Sequence, residues 1–113
     1  MNSTVFDRSQ SAVRTKATGS LRQFIDAPTA MLEQLRCHVT TVNAGEASHT
    51  PHEHPDEELI IVEDGEITML MNGSEQLVSA GSMAFVAAGQ WHGIRNAGQA
   101  PATYYVVRWR TKT

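Results

Sequence analysis

Apolar and polar positions alternate along most of this chain in short runs, each closed by a turn. Leu35, Cys37, Val39 and Thr41 alternate with Gln34, Arg36, His38 and Thr40, and the run stops at Asn43-Ala44-Gly45. Glu58 to Val62 follows and ends at Asp64-Gly65, then Ile67 to Met71 ends at Asn72-Gly73. Asp-Gly and Asn-Gly supply the positive φ angles of tight hairpins, so these two stops predict strand reversals. Gln76 to Val78, Met83 to Val86, Trp91 to Arg95 and Thr103 to Trp109 complete the series. Pro28 to Glu33 is the one stretch that predicts a helical turn. Short strands at this spacing, without a long amphipathic helix, predict an all-β sandwich or barrel. Residues 1–20 are polar and lack a persistent apolar period. They read as an N-terminal arm, or as one strand that pairs elsewhere, ahead of a barrel domain over residues 21–113.

Composition narrows the classes. A chain of 113 residues makes one domain with one hydrophobic core. A net charge of -3 offers no basic face, which speaks against nucleic acid as a partner. The single Cys37 precludes an internal disulfide and fits a reducing cytoplasm. The first residues lack the apolar segment of a secretory signal, and no apolar run is long enough to span a membrane. The expectation is a soluble cytoplasmic domain.

The chemistry concentrates in His52-Glu53-His54-Pro55-Asp56-Glu57-Glu58, answered later by His92 in Gln90-Trp91-His92-Gly93. Three imidazoles and a carboxylate suit a first-row divalent metal. Successive side chains of a strand point to opposite faces, so His52 and His54 share a side. If the strand resumes in register after Pro55, Glu58 joins that side with Ile60 and Val62, while Glu57 joins Leu59 and Ile61. Glu57 and Glu58 compete for one role, and parity favours Glu58. His92 would share its face with Ile94 and Asn96, the latter read as a turn residue.

These residues resemble a known family. Gly45-(x6)-His52-x-His54-(x3)-Glu58-(x6)-Gly65 is similar to the first cupin motif, and Gly81-(x5)-Ala87-x-Gly89-(x2)-His92-(x3)-Asn96 to the second. The intervening fifteen residues match the short end of that family's range. The chain departs from the pattern by one extra residue before His52 and by Ala87, where the family usually has proline; neither change removes a ligand. The resemblance implies a single double-stranded β-helix of the jelly-roll class. It also implies one divalent metal ion on His52, His54, Glu58 and His92. Iron, manganese, cobalt, nickel and zinc all suit this set. On an octahedral ion, four protein ligands leave two positions for water, oxygen or a chelating substrate.

His38, opposite the apolar stripe, is expected at the surface. His49, three residues before His52, is an alternative ligand or a neighbour of one. The faces assigned inward carry Cys37, Val39, Ile60, Val62, Ile94, Tyr105, Val107 and a stripe from Ile67 to Met71. Arg36 and Arg95 fall outward, leaving no inward cation. That distribution favours an apolar or aromatic, polyketide-like substrate over a phosphosugar. Small single-domain cupins of this size resemble dioxygenases and the tetracenomycin-cyclase-like group. The expected function is therefore a metal-dependent cyclase or dioxygenase. Glu58 would act as ligand and proton shuttle, assisted by His49 or Tyr105. The alternative is a binding or sensing protein that uses the same pocket. A homodimer is expected, with Leu21 to Ile25 pairing on a partner's sheet edge.

Overall fold

The computed structural model describes all 113 residues, as nine strands and one short 3-10 turn (Arg8–Gln10). The strands are β1 (Ala12–Lys16), β2 (Gly19–Ala27), β3 (Leu32–Val42), β4 (Glu57–Asp64), β5 (Glu66–Met71), β6 (Ser74–Ser79), β7 (Met83–Val86), β8 (His92–Arg95) and β9 (Ala102–Thr111). They form two antiparallel sheets, one in the order β1-β2-β3-β9-β4-β7 and one in the order β6-β5-β8. This is the all-β, two-sheet barrel architecture that the sequence predicts. No helix is long and apolar enough to cross a membrane.

The predicted reversals fall where the turn chemistry puts them. Asn72 and Gly73 both have positive φ (56° and 72°) and join β5 to β6, whose facing residues Met71 and Ser74 pair. Gly65, at φ 73°, separates β4 from β5, and a Cβ there would stand 2.9 Å from the Pro101 carbonyl oxygen. Close approach and backbone angle both require glycine.

The core lies between the sheets. Ile60 and Val62 of β4, Ile67 and Met69 of β5, Ile94 of β8, and Tyr104 and Val106 of β9 belong to one buried cluster. Removing each such side chain from water contributes about 1.5–3 kcal/mol.

Three sequence expectations are corrected here. Of the two readings of residues 1–20, the loose arm gives way to the strand that pairs elsewhere: β1 pairs with β2, and β2 with β3, in the same chain. Leu21 and Ile25 thus use their ladder bonds on Thr40 and Cys37 rather than on a partner. Pro28 to Glu33 makes no helix; Thr29 N–H donates to the Leu32 carbonyl, closing a tight connection into β3.

The third correction concerns strand faces. On β3 the buried residues are Thr40 and Val42, so His38 and Arg36 share the inner face, while Cys37, Val39 and Thr41 face out. On β9, Ala102, Tyr104 and Val106 are buried, which places Arg108 inward and Tyr105 and Val107 outward. Apolar alternation misleads on these strands because the outer face of the large sheet is itself apolar. At one end of the inner face, polar groups replace core residues. Arg95 does face outward, paired with Glu75 at 3.1 Å.

Candidate metal centre

The cluster is assembled by backbone pairing. His52 and His92 form an isolated antiparallel bridge with reciprocal N–H to carbonyl bonds of 2.9 Å each. Directly paired residues project their side chains to the same side, about 5.5 Å apart at Cα. Gly89 N–H donates to the His54 carbonyl at 2.8 Å, tying the second histidine to the turn before β8. Gly93 leaves room for this approach: a Cβ there would stand 2.9 Å from Pro51 Cγ, on the residue preceding His52.

The rings of His52, His54 and His92 consequently converge, with centroids 4.9–5.2 Å apart. One ligand atom from each lies within 4.8 Å of the others. Glu58, buried on β4, completes the group: its Oε2 is 2.9 Å from His54 Nε2 and 3.1 Å from His92 Nε2. All four residues that the motifs single out come together. Glu57, paired with Trp109, points to the opposite face, as parity requires.

Backbone carbonyls fix the tautomers. His92 Nδ1 lies 2.8 Å from the Gln90 carbonyl oxygen and His54 Nδ1 lies 3.1 Å from that of Asp56. A carbonyl only accepts, so both Nδ1 atoms carry hydrogen. In the neutral rings Nε2 is then a bare lone pair, and two such lone pairs face a carboxylate oxygen. His92 Nε2 is fully buried and lacks a hydrogen-bond partner. Acceptors crowded this way require a cation among them, and carbonyl-anchored imidazoles are an ordinary support for metal ligands. The donor set thus fits a divalent transition ion.

Electrostatics agree. Burial works against the charge on Glu58, yet the His92 and His54 rings outweigh it and lower its pKa. Burial also opposes protonation of His92, but Glu58 and the Gln90 carbonyl raise its pKa above the ordinary value. Burial, aided by the neighbouring imidazoles, lowers His52 to about 4. Glu58 and His92 thus favour each other's charged forms at the place where an ion would sit.

Asp56 supports the cluster, and sequence reading passes over it. Its carboxylate is almost completely buried and takes Arg110 Nη1 at 2.9 Å and Arg108 Nη2 at 3.2 Å. Its main-chain carbonyl orients His54. No local pattern distinguishes it from its acidic neighbours Glu53 and Glu57.

The remaining candidates divide. His49 stacks on His52 at 4.3 Å, exposed at the rim, and is outside the converging trio. Tyr105 lies on the outer face of the large sheet, away from the cluster. His38 is half-buried on the inner face, where burial lowers its pKa to about 4, contrary to the surface position expected for it. Asn96 is a buried turn organiser: its Nδ2 donates to the carbonyls of Val42 and Ala100, and its Oδ1 accepts from Gly98. Arg108 and Lys16 line the cavity beside His52 and Glu58, so the inward surface does carry cations.

The two carboxylates provide a direct test. Glu58→Gln is expected to weaken metal binding by about 100-fold or more, and Glu57→Gln by less than about threefold. Titration with cobalt(II) followed by absorption measures both, and a reversed order would show that β4 is out of register.

The Cupin domain family model matches residues 38–108. No curated protein matches. Several solved structures share the fold. The iron(II) form of HppE superposes with a TM-score of 0.78 at 18% identity, covering 94% of this chain and 60% of HppE. A cupin-superfamily sugar phosphate isomerase from Silicibacter pomeroyi gives 0.75 at 22% identity, covering 96% of this chain and 76% of that one. An RmlC-like cupin-family protein from Methanocaldococcus jannaschii gives 0.70 at 15% identity, with coverages of 88% and 90%. At these identities the likeness is one of fold.

Proposed function

Since the chain belongs to the Cupin domain family, with its whole His–Glu cluster inside the matched region, we propose that it is a metal-dependent enzyme of small-molecule chemistry. In this reading His52, His54, Glu58 and His92 keep one divalent transition ion, and the substrate binds there through oxygen atoms. The observation that carries the reading is the pair of tautomer-fixed, bare Nε2 atoms meeting the buried Glu58 carboxylate. The ion, when bound, supplies Lewis acidity that stabilises an oxygen anion on the substrate.

The chain's own residues do the rest. The carbonyls of Asp56 and Gln90 hold two rings in position, and Ile94, Tyr104 and Val106 keep bulk water from the cluster. Glu58 can accept a substrate proton, and His49, exposed at the rim with its Nδ1 on the Thr50 carbonyl, can relay it to solvent. Tyr105 has no part, since its face is remote. The preference for an apolar or polyketide-like substrate loses its premise once Arg108 and Lys16 line the cavity. HppE holds iron(II) on this fold, and a sugar phosphate isomerase shares it; both are in keeping with a small-molecule enzyme.

The test is elemental analysis after reconstitution with each candidate metal, followed by oxygen uptake and product analysis on chelating acids, phenols and diketones. About one ion per chain and turnover by one metal form are expected. Tight ligand binding without turnover by any metal form would favour a sensing role instead.

We further propose a homodimer, formed through the outer face of the large sheet rather than through the N-terminal arm. Val39, Leu59, Ile61, Tyr105 and Val107 lie on that face, with Phe85 and Met83 still 50% and 60% exposed. Patches of this kind on a small protein mark association surfaces. Light scattering is expected to give twice the chain mass at micromolar concentration, and Phe85→Glu to shift it to monomer. A monomer mass for the unmodified protein would remove the proposal.

A further inference from the structure

The cavity beside the metal cluster, about 130 Å³, carries two cations that the metal chemistry does not use. Arg108 faces Glu58 directly across the β4–β9 pairing. Its side chain is only 18% exposed, and its Nε and Nη2 are engaged by one oxygen of Asp56, at 3.3 and 3.2 Å. Nη1 has no acceptor in the protein. Lys16 reaches in from β1, where Nζ donates to the Ser48 carbonyl and hydroxyl at 3.1 Å each, leaving its third N–H unspent.

The charges do not balance locally. Glu58 is the only carboxylate lining the cavity, and it is committed to the histidines. Asp56 is shared between Arg108 and Arg110. With a divalent ion in place, Glu58, Asp56 and Glu33, the last paired with Arg110 at 3.3 Å, supply three negative charges against five positive ones: two from the ion and one each from Arg108, Arg110 and Lys16. Thr40 and Tyr104 on the cavity wall are neutral. A small cavity with excess positive charge and free N–H donors is complementary to an oxyanion. Its volume is below the roughly 300–1,000 Å³ of sites for drug-sized ligands, about that of four waters. The occupant is compact.

We propose that this cavity is an anion subsite, in which Arg108 and Lys16 hold the carboxylate of a compact hydroxy or keto acid while a second oxygen of the same molecule meets the metal. This specifies the substrate class and rests on the metal-enzyme reading above. Both residues act by binding substrate; neither is a metal ligand.

The experiment is titration of cobalt(II)-loaded protein with pyruvate, glycolate and their uncharged counterparts hydroxyacetone and ethylene glycol, read by the cobalt absorption bands. The acids are expected to bind at least tenfold more tightly than the neutral compounds. Lys16→Gln and Arg108→Gln should each weaken the acids about tenfold without changing affinity for the neutral compounds, and Arg108→Lys should restore part of the loss. Lys16 is on an edge strand, so its variant keeps the fold, and metal content is measured on every sample. Equal binding of acids and neutral compounds, or unchanged acid binding in Lys16→Gln and Arg108→Gln, would overturn the subsite, as would preference for phosphoglycolate over glycolate beyond tenfold.

A second arm separates this proposal from the metal reading. Metal-stripped protein titrated with pyruvate is expected to show weaker, saturable amide shifts on β1 and β9 by NMR, which Arg108→Gln abolishes. That result sustains the subsite even if no metal form is active; absence of shifts in unmodified stripped protein counts against it.

Discussion

Replacing His92 by alanine is expected to take metal content from about one ion per chain to near zero at micromolar metal, a loss of more than about 100-fold in affinity. The ring is buried, its Nδ1 is fixed on the Gln90 carbonyl, and its Nε2 has no function except to meet Glu58 and an ion. In the unmodified protein, an ion competes with protons for His92, whose affinity for them Glu58 raises. Affinity should therefore decline with falling pH, by about tenfold per unit below the His92 pKa, which lies above 6.5. Stability without metal runs the other way. His92 has a raised folded pKa, so its contribution is complete below 6.5 and is lost as pH rises through the folded value. Glu58 has a lowered one, so its contribution is complete above about 4.5 and is lost as pH falls through the folded value. For this pair, metal-free protein should be most stable between those limits, whereas metal-loaded protein gains stability toward neutral pH and above. Melting curves with and without chelator across pH 4 to 8 check both trends. His92→Ala should erase their difference.

Asp56→Ala is expected to cost about 3 kcal/mol of stability, because it strands Arg108 and Arg110 without their shared carboxylate. The estimate is at the low end for broken buried pairs, since Arg110 keeps a third of its side chain in solvent and also reaches Glu33. For a domain of this size the change lowers the melting temperature by roughly 10–15 °C. Metal affinity should fall as well, by about 10- to 100-fold, because the carboxylate's grip on Arg108 and Arg110 positions the Asp56 main-chain carbonyl that fixes the His54 ring. Asp56→Asn keeps the volume and one acceptor and should lose less on both measures. Equal metal affinity in folded Asp56→Ala would separate the arginine clamp from the ligand loop.

Strands β3 to β9 and the convergence of His52, His54, Glu58 and His92 are legible in the sequence, for local reasons. Asp-Gly and Asn-Gly fix the reversals, and the parity of His52, His54 and Glu58 follows from strand geometry once β4 resumes after Pro55. What escapes is whatever depends on which face meets the other sheet. On β3 and β9 the regular apolar stripe marks the exterior, and the inward residues His38, Arg36 and Arg108 are the polar ones. The pattern fails where the core gives way to a site. Lys16 escapes for a different reason: it sits in a polar stretch with no apolar period, and only the pairing of β1 with β2 carries it to the cavity.

The bridge between His52 and His92 bears on how the protein would acquire the proposed ion. His52 leads into a strand of the large sheet and His92 begins a strand of the small one, with the β5–β6 hairpin and β7 synthesised between them. The long loop must close before the fourth ligand reaches the other three, and such distant pairings form late. During refolding, therefore, a nascent chain offers only a weak partial chelate, and firm capture of the ion signals that the two sheets have already met. If the proposed ion binds there, metal choice would be made by a finished protein from the ions present at that moment, so the medium in which refolding ends, rather than the one in which it starts, would select the species that is trapped.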